Sequence, residues 1–253
     1  MRITWDEAWH LMERAVLRGR DAKENSVPRK IGIDERAIAK GHRYMTLVCD
    51  LEEATVEYIG EDRKEASLAA YFEAFPKDER ENIEAISLDM WPAYVSACQD
   101  KVPDADSKMV FDRFHIMRHV VDAVDKVRKQ EHKALMAAGD ATLTKSKYLW
   151  LTNPENMTDQ ARTRFDELKG AELKTGRAWA IKEALRELWG YTSAAWATKF
   201  WKRWYFWATH SRLPPMIDVA KLIERHLPNV LTYFTHRVTN AVAEGLNSKI
   251  ATV

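Results

Sequence analysis

Acidic residues at three separated positions have the types and spacing to bind catalytic metal ions. Glu244 lies in a short predicted helix, 239–248, on the same face as Asn240 and Asn247, because the three are spaced i, i+4 and i+7. A lone acid on a polar helix face is most often an ordinary solvent-exposed side chain. The alternative is that Glu244 supplies one ligand of a metal site whose other carboxylates come from upstream. Taken alone, this segment leaves both interpretations open.

Two aspartates provide candidates for those upstream carboxylates. Asp34 follows the apolar segment 30–33 and Asp89 follows 83–88, and both segments are predicted strands. If these strands lie side by side and parallel, their carboxyl ends meet where open α/β sheets bind ligands. Adjacent carboxylates repel each other, and Mg²⁺ or Mn²⁺ relieves the repulsion because hard cations prefer oxygen ligands. With Glu244 as third ligand, two ions about 3.5–4 Å apart would promote an in-line phosphoryl displacement.

The order of the predicted elements indicates how these residues are brought together. Strands are predicted at 30–35, 43–50, 54–59, 83–89 and 107–112, with helices at 63–75 and 92–99. The turn between the second and third strands has hairpin length, so that pair is antiparallel, and αβ units follow it. We therefore predict an α/β fold, a ribonuclease-H-like mixed five-stranded sheet with flanking helices. That order lacks only a final core helix, which the segment around Glu244 can supply.

The middle of the chain is predicted to be entirely helical. Amphipathic helices are predicted at 115–138, 158–169, 175–188, 192–209 and 216–226. The predicted division is an N-terminal helix and linker over 1–28, a catalytic core over 29–113, a large all-α insertion over 114–234, and a closing core helix over 235–253. The insertion would thus separate Asp89 from Glu244.

The composition is typical of a globular protein of one or two domains. The chain has 253 residues, of which 46% are hydrophobic and 30% charged. Two cysteines are too few for a disulfide framework, which favours the reducing cytoplasm, and no apolar run reaches membrane-spanning length. Residues 1–100 carry 14 Lys and Arg against 21 Asp and Glu, whereas residues 101–253 carry 25 against 17. This asymmetry suits a metal-binding core beside a polyanion-binding surface, and an uneven distribution by chance is an equal alternative.

A second group of possible metal ligands follows the fifth predicted strand. Asp112, His115 and His119 are spaced i, i+3 and i+7 and could hold zinc in an open site. The simpler interpretation is that Asp112 caps the helix and the histidines bond locally or to a ligand. Asp112 is also the first alternative if one of the other three acids is misassigned.

Cations near the aromatic helix 192–209 are candidates for phosphate contacts. Most of its aromatic residues are expected in a core, and the alternative is that one tryptophan stacks on an unpaired base. The candidate cations are Lys199, Lys202, Arg203 and Arg237. Arg36 and Lys40, which follow Asp34, could face bound phosphates or only solvent.

Four motifs resemble those of bacterial insertion-sequence DDE transposases, specifically the family named L-three (ISL-type). They are Ile31-Gly32-Ile33-Asp34-Glu35, Ser87-Leu88-Asp89-Met90-Trp91, Phe111-Asp112-Arg113-Phe114-His115 and Thr239-Asn240-Ala241-Val242-Ala243-Glu244-Gly245-Leu246-Asn247. The resemblance implies a metal-binding triad of Asp34, Asp89 and Glu244 with two Mg²⁺ or Mn²⁺ ions. It also implies DNA strand cleavage and strand transfer, with Asp112 and His115 near the active site.

The same resemblance implies the partners and the setting. Double-stranded DNA, as transposon ends and target, would be the partner, with no membrane, and the full-length protein would be a homodimer at the bacterial nucleoid in the cytoplasm. Asn240 and Asn247 would orient Glu244 or contact DNA. Family members begin with a zinc-binding and helix-turn-helix region and continue past the glutamate helix, so the chain is expected to be a catalytic-domain fragment. The alternatives are an inactive remnant that binds DNA without cleavage, and a ribonuclease-H-like nuclease.

Overall fold

A mixed sheet of five strands forms the centre of the molecule. The computed structural model describes residues 3–22, 26–39 and 43–250. The strands are β1 (Lys30–Ala39), β2 (Arg43–Asp50), β3 (Thr55–Glu61), β4 (Ala85–Leu88) and β5 (Met109–Phe111). Their spatial order is β3-β2-β1-β4-β5, with antiparallel β1–β2 and β2–β3 pairs and parallel β1–β4 and β4–β5 pairs. The predicted ribonuclease-H-like α/β fold is confirmed.

The first strand is longer than predicted. It continues four residues beyond Glu35 because β2 keeps pairing with it as far as Ala39. The parallel pairing with β4 ends earlier, at the pair of Gly32 with Ser87. Asp34 therefore lies inside a strand rather than at its end, but it lies past the end of the parallel ladder. The prediction that the strand ends at Asp34 was wrong for the pairing with β2, which continues to Ala39. It was right for the pairing with β4, which has ended before Asp34.

Four helices connect the strands of the core. They are α2 (Glu65–Glu73), α3 (Lys77–Glu81), α4 (Pro92–Lys101) and α5 (Ala105–Lys108). The helix α2 buries Leu68, Tyr71 and Phe72, whose i, i+3, i+4 spacing forms one apolar face. The single turn of α5 occupies the start of the predicted fifth strand, so β5 is shorter than predicted.

The region from 114 to 234 is helical and contains no strand, as predicted. Its helices are α6 (Arg113–Ala137), α7 (Lys147–Leu151), α8 (Asp159–Lys169), α9 (Lys174–Arg186), α10 (Ala194–Thr209), α11 (Pro214–Arg225), α12 (Leu227–Leu231) and α13 (Tyr233–His236), with 3₁₀ turns at Pro154–Asn156 and Glu187–Gly190. One hydrophobic cluster runs from the sheet, at Ile31 and Phe111, into this region at Trp150 and Trp201. The helical region is thus packed against the sheet, where α12 and α13 contact β5, and α6 packs on α7, α9 and α11.

The long helix α6 also fixes the start of α9. The Glu131 carboxylate accepts hydrogen bonds from the backbone N–H groups of Lys174 and Thr175, both at 2.7 Å, and from the Thr175 hydroxyl at 2.6 Å. The first N–H groups of a helix have no partner within the helix, so an acid from a neighbouring helix satisfies them and complements the helix dipole. This contact orients α9 against α6.

The aromatic residues of α10 divide into a buried and an exposed set. Trp201 and Trp204 are almost fully buried, and the Trp204 indole donates to the Ile181 carbonyl at 2.8 Å. Trp196, Phe206 and Trp207 are exposed. The expected core role holds for the first set, and the second set remains available to a ligand.

Two further helices begin and end the described chain. The first, α1 (Trp5–Ala22), has a capping box, because the Thr4 backbone N–H donates to Glu7 and the Glu7 backbone N–H donates to the Thr4 hydroxyl. The last, α14 (Ala241–Ile250), is the closing helix, and residues 251–253 of the predicted closing segment lie outside the described residues. None of the described helices combines the length and hydropathy needed to cross a membrane.

Candidate active site

Three aspartates lie at the same level of the sheet, just past the carboxyl ends of the parallel pairing. Gly32 pairs with Ser87, so Asp34 and Asp89, each two residues further on, follow neighbouring strands on the same face. The backbone N–H of Asp112 donates to the Leu88 carbonyl at 3.0 Å, which places Asp112 beside Asp89. The register of three strands thus brings these acids to one edge of the sheet.

The closing helix packs directly on the first strand and carries Glu244 to this edge. Asn240 is fully buried, and its side-chain amide donates to the Ile33 carbonyl at 3.1 Å. A Cβ atom at Gly32 would lie 2.7 Å from Asn240 Oδ1 and 3.4 Å from the Ala243 Cβ, so this approach requires a glycine. The backbone N–H of Glu244 donates to the Asn240 carbonyl at 2.9 Å. Asn240 therefore fixes where α14 starts.

A second pair of contacts fixes the other end of the closing helix. The Asn247 side-chain amide donates to Asp34 Oδ2, and the Arg36 guanidinium donates to the Asn247 backbone carbonyl. Asp34 Oδ1 accepts from the Glu35 backbone N–H at 2.8 Å, so each oxygen of this carboxylate has one donor. Arg36 thus faces neither phosphate nor solvent alone, but anchors α14 to β1. Lys40 lies outside the described residues.

One group of metal-ligating side chains in the described part of the chain combines Glu244 with two residues of the β5–α6 junction. One ligand atom each from Asp112, His115 and Glu244 lie within 4.8 Å of one another. His115 Nδ1 also lies 3.6 Å from Asp89 Oδ2, so the imidazole connects this group to Asp89. Asp112 occupies the position before α6, yet its side chain makes no capping hydrogen bond. The backbone amide of Phe114 nevertheless lowers the pKa of Asp112, so this acid still interacts with the start of α6 while it also faces Glu244.

The electrostatics of the site disfavour its charged carboxylates. Burial raises the pKa of Asp34, and the Asp89 charge adds to the increase, while the Glu35 N–H, His115 and Asn247 act against it. Burial likewise raises the pKa of Asp112, against favourable contributions from His115 and from the backbone amides of Asn240 and Phe114. For Glu244, burial and the Asp112 and Asp34 charges raise the pKa. Several neighbouring carboxylates with raised pKa values thus share one partly buried region, as expected of a functional site.

These residues fit a divalent cation. Glu244 Oε1 and His115 Nε2 are buried without a hydrogen-bond partner among the described residues. Buried polar atoms of this kind are uncommon and need an explanation, and a cation bound by carboxylate oxygens would provide one. The carboxylate oxygens suit Mg²⁺ or Mn²⁺.

The sequence prediction and the structure differ in one respect. Asp34, Asp89 and Glu244 lie at the same edge of the sheet, but of these three only Glu244 belongs to the group of described residues close enough to hold one ion. Asp112 and His115, which the sequence ranked second, complete that group. The sequence signal for Asp112 and His115 was their i, i+3 spacing directly after a strand. It could not be ranked higher because their contact with Glu244 depends on where α14 packs.

The predicted phosphate-contacting cations have different surroundings. Lys199, Lys202 and Arg203 are exposed on α10, and the Lys199 ammonium lies 4.4 Å from the centre of the Trp196 ring. Arg237 instead donates to the Tyr191 and Thr192 carbonyls, at 3.3 and 2.7 Å. Its guanidinium therefore ties the segment before α14 to the start of α10.

The raised pKa of Asp112 predicts a pH-dependent effect of Asp112→Asn on stability. The pKa of Asp112 in the folded protein lies above the ordinary value of 3.8. The contribution of protonated Asp112 to the free energy of unfolding is therefore complete below pH 3.8 and is lost as pH rises through the folded pKa. Asparagine cannot ionise, so with a chelator present the variant should gain on the order of 1 kcal/mol over wild type at neutral pH and little at pH about 3. Urea unfolding across this pH range measures the difference.

Asp122→Asn is the matched control, because Asp122 is exposed on the same helix. It should show no gain that grows with pH. An Asp112→Asn gain that is constant or shrinks as pH rises would contradict the assigned burial of the charge.

Comparison with known proteins gives a consistent result. Residues 31–253 match a family model of ISL3-type DDE proteins that is described as transposase. The chain is 30% identical over 226 residues to the transposase for insertion sequence element IS1001 of Bordetella parapertussis, covering 88% of this chain and 55% of the relative. It is 23% identical over 245 residues to the transposase for insertion sequence element IS1557 of Mycobacterium tuberculosis, covering 88% and 54%. The chain spans about half the length of the curated relatives it matches.

Proposed function

This chain belongs to the ISL3 family of DDE transposases, and we propose that it forms the catalytic core of a transposase that cleaves DNA and transfers the cut strand in a metal-dependent reaction. The observation that supports this most is the group formed by Asp112, His115 and Glu244, which lies beside Asp34 and Asp89 at one edge of the sheet. In this proposal the core consists of 29–113 and the closing segment 235–253, and 114–234 is an insertion.

Asp34, Asp89 and Glu244 would hold two Mg²⁺ or Mn²⁺ ions, with Asp112 and His115 beside them. The bound ions supply activation of a water or 3′-hydroxyl nucleophile and stabilisation of the leaving oxygen. The protein holds the carboxylates in fixed positions and orientations. Asp34 receives one hydrogen bond on each oxygen, which fixes its rotation and leaves further lone pairs for a cation.

The imidazole of His115 completes the arrangement from the helix side. Its Nδ1 faces Asp89, and when protonated it forms an ion pair with that carboxylate. Its Nε2 is buried and has no protein partner among the described residues. His115 thus orients Asp89 and balances part of the negative charge that four neighbouring acids create.

The proposed substrate is double-stranded DNA, as transposon ends and target. The exposed cations Lys199, Lys202 and Arg203 would contact its phosphates and position it, without reading its sequence. Asn240 and Arg237 act within the protein, by holding the closing helix and the segment before it. A homodimeric full-length protein acting at the bacterial nucleoid in the cytoplasm belongs to the same proposal.

A strand-transfer assay tests the function. The chain is incubated with end-labelled duplex DNA and a supercoiled target plasmid, with Mn²⁺ or with a chelator. Cleavage and joined products that require the metal are expected, and Asp89→Asn should abolish both, while Asp78→Asn, at an exposed aspartate of α3, should not. Metal-dependent cleavage without joining would indicate a nuclease, and DNA binding without cleavage an inactive remnant, and either would overturn the proposal.

A further inference from the structure

A cleft opens beside the candidate active site, between the first turns of α6 and the end of α9. Its volume is about 590 Å³, within the range of ligand sites. The residues that decide its chemistry are Arg113, Phe114, Arg118, Lys182, Arg186 and Trp189. Arg113 directly follows Asp112, and its charge lowers the pKa of both Asp112 and Glu244. Arg113 therefore lines the cleft and also lies close to the acids of the site.

The two walls of the cleft are regular helix faces. Phe114, Arg118 and a further apolar residue, Val121, are spaced i, i+4 and i+7 on α6. Lys182, Arg186 and Trp189 repeat the same spacing on α9 and the following 3₁₀ turn. Each wall thus combines a cation with an aromatic ring. This arrangement is set by rigid helices rather than by loops.

The cations differ in whether they are already paired. Lys182 is 1% exposed, and its ammonium lies 2.7 Å from Glu183 and 3.2 Å from the Trp150 carbonyl. Arg186 is paired with Glu183 and Glu155. Arg113 and Arg118 are exposed at the rim and make no hydrogen bond or salt bridge to any residue that the structure describes. Two guanidinium groups are therefore free to bind an anion.

The aromatic surface is also open. The Phe114 side chain is 56% exposed, unusual for a phenylalanine, and its ring lies edge-on to His115 with 5.8 Å between ring centres. Trp189 is half-buried in the opposite wall. A flat apolar group entering the cleft would therefore find an aromatic ring on each wall.

This cleft differs from the others in the charge of the residues that line it. Four further clefts of comparable size in the described part of the chain each have an acid in their lining: Asp104 and Asp106, Glu172, Asp62 and Glu65, and Glu131. The α6–α9 cleft has none. Its ligand is thus expected to be anionic as well as aromatic.

We propose that the α6–α9 cleft binds an unpaired nucleotide of the DNA strand that enters the active site, with its base against Phe114 and Trp189 and its phosphate at Arg113 and Arg118. A base and a phosphate together match this combination of rings and free guanidinium groups. The inference rests on the proposed function, because the strand is taken to be the substrate of the neighbouring carboxylates. It assigns part of the DNA contact to a cleft that is distinct from the exposed face of α10.

Binding measurements on two DNA probes test this assignment. Fluorescence anisotropy, with a chelator present, compares a blunt duplex with the same duplex carrying a single-stranded extension that contains 2-aminopurine. Wild type should bind the extended probe more tightly, and 2-aminopurine fluorescence should change on binding. Phe114→Ala should weaken binding of the extended probe about 5- to 10-fold, the effect of losing one base–aromatic stack, and leave the blunt duplex unaffected.

A charge variant gives an independent readout. Arg118→Ala should reduce the slope of log Kd against log salt by about one for the extended probe, because one phosphate contact is lost. Phe114→Ala should leave this slope unchanged. The matched controls are Tyr148→Ala, an exposed aromatic on α7, and Arg18→Ala, an exposed arginine on α1, and neither should alter the preference between probes.

Three outcomes would overturn the assignment. If wild type and Phe114→Ala both bound the two probes equally while metal-dependent cleavage persisted, the cleft would not be a nucleotide site. The proposed function would still stand. A free deoxynucleoside monophosphate could abolish the tighter binding of the extended probe while 2-aminopurine fluorescence stays unchanged on binding. That result would show that the cleft binds free nucleotides and not the DNA strand. Wild type that binds neither probe would overturn both proposals.

Discussion

Glu244→Gln is expected to reduce metal-dependent DNA cleavage by at least about 1,000-fold while leaving the protein folded. Glutamine keeps the size of the side chain but loses a charged oxygen ligand, and metal-based stabilisation of a transition state is worth several kcal/mol, with 1.36 kcal/mol for each tenfold in rate. Burial and the charges of Asp112 and Asp34 already oppose ionised Glu244. The same substitution should therefore stabilise the protein in a chelator, by up to about 1 kcal/mol.

The combination of lost activity and gained stability distinguishes a ligand from a structural acid. Cleavage rates with Mn²⁺ and urea unfolding with a chelator are measured on the same preparations. Mn²⁺ should raise the unfolding midpoint of wild type more than that of Glu244→Gln, because a ligand that binds only the folded state stabilises it. Glu53→Gln, at an exposed glutamate after β2, should behave as wild type in every measurement.

Equal cleavage by Glu244→Gln and wild type would remove Glu244 from the ligand set. In that case Asp112, which faces Glu244 at the same edge, is the residue to substitute next. Loss of both activity and stability would instead mean that Glu244 holds the closing helix in place, because the absence of a charged ligand alone would not lower stability in a chelator.

Gly32→Ala is expected to destabilise the protein by about 1–3 kcal/mol and to reduce activity with it. The added Cβ would lie 2.7 Å from both Asn240 Oδ1 and a Leu51 methyl group, closer than van der Waals contact permits. Overpacking of a buried contact typically costs this much. Asn240 is poorly placed to move away, because it is fully buried and hydrogen-bonded to the Ile33 carbonyl. The expected response is displacement of α14, which carries Glu244.

Gly245→Ala in the same closing helix is the matched control. A Cβ at Gly245 would meet nothing within 4 Å, so replacing this helical glycine should stabilise the protein by about 0.5–1 kcal/mol. Urea unfolding followed by circular dichroism measures both variants, and the cleavage assay reports the position of Glu244. If Gly32→Ala were as stable as wild type, the close contact between β1 and α14 would not exist in solution.

The sequence predicted the elements of the core well because their signals are local. Strand β2 was predicted with its observed bounds, and the positions of β3, β4 and α4 with shifts of no more than two residues at either end. The apolar alternation of strands and the 3.6-residue repeat of helices are properties of adjacent residues. Helix starts such as Thr4 with Glu7 are equally local, because they depend on side chains three positions apart.

The end of β1 was mispredicted for a reason that is not local. Where a strand ends depends on which neighbour continues to pair with it, and β2 continues past Asp34 whereas β4 does not. The segment predicted to end in acidic residues therefore continues as a strand. The same acids still lie at the edge of the parallel part of the sheet, so the error in the strand boundary does not change their predicted placement.

The roles of individual polar residues were the least predictable. Arg237 appeared suited to phosphate, but its guanidinium binds the Tyr191 and Thr192 carbonyls 45 or more residues away. Arg36 left two interpretations open, and the contact it makes, to the Asn247 carbonyl, was neither of them. A long cationic side chain can reach many acceptors, so its sequence neighbours do not identify the one it uses.

By itself, the sequence determined the family, the order of strands and helices, and three acids on the elements that could bring them together. Only the tertiary structure decided that Asp112 and His115 join Glu244, and that Asn247 and Arg36 connect α14 to the strand that carries Asp34. The physical reason is the distance along the chain. Asn247 and Asp34 are 213 residues apart, and contacts of that separation depend on sheet register and on how closely a helix can approach a strand at Gly32, neither of which is written in a local pattern.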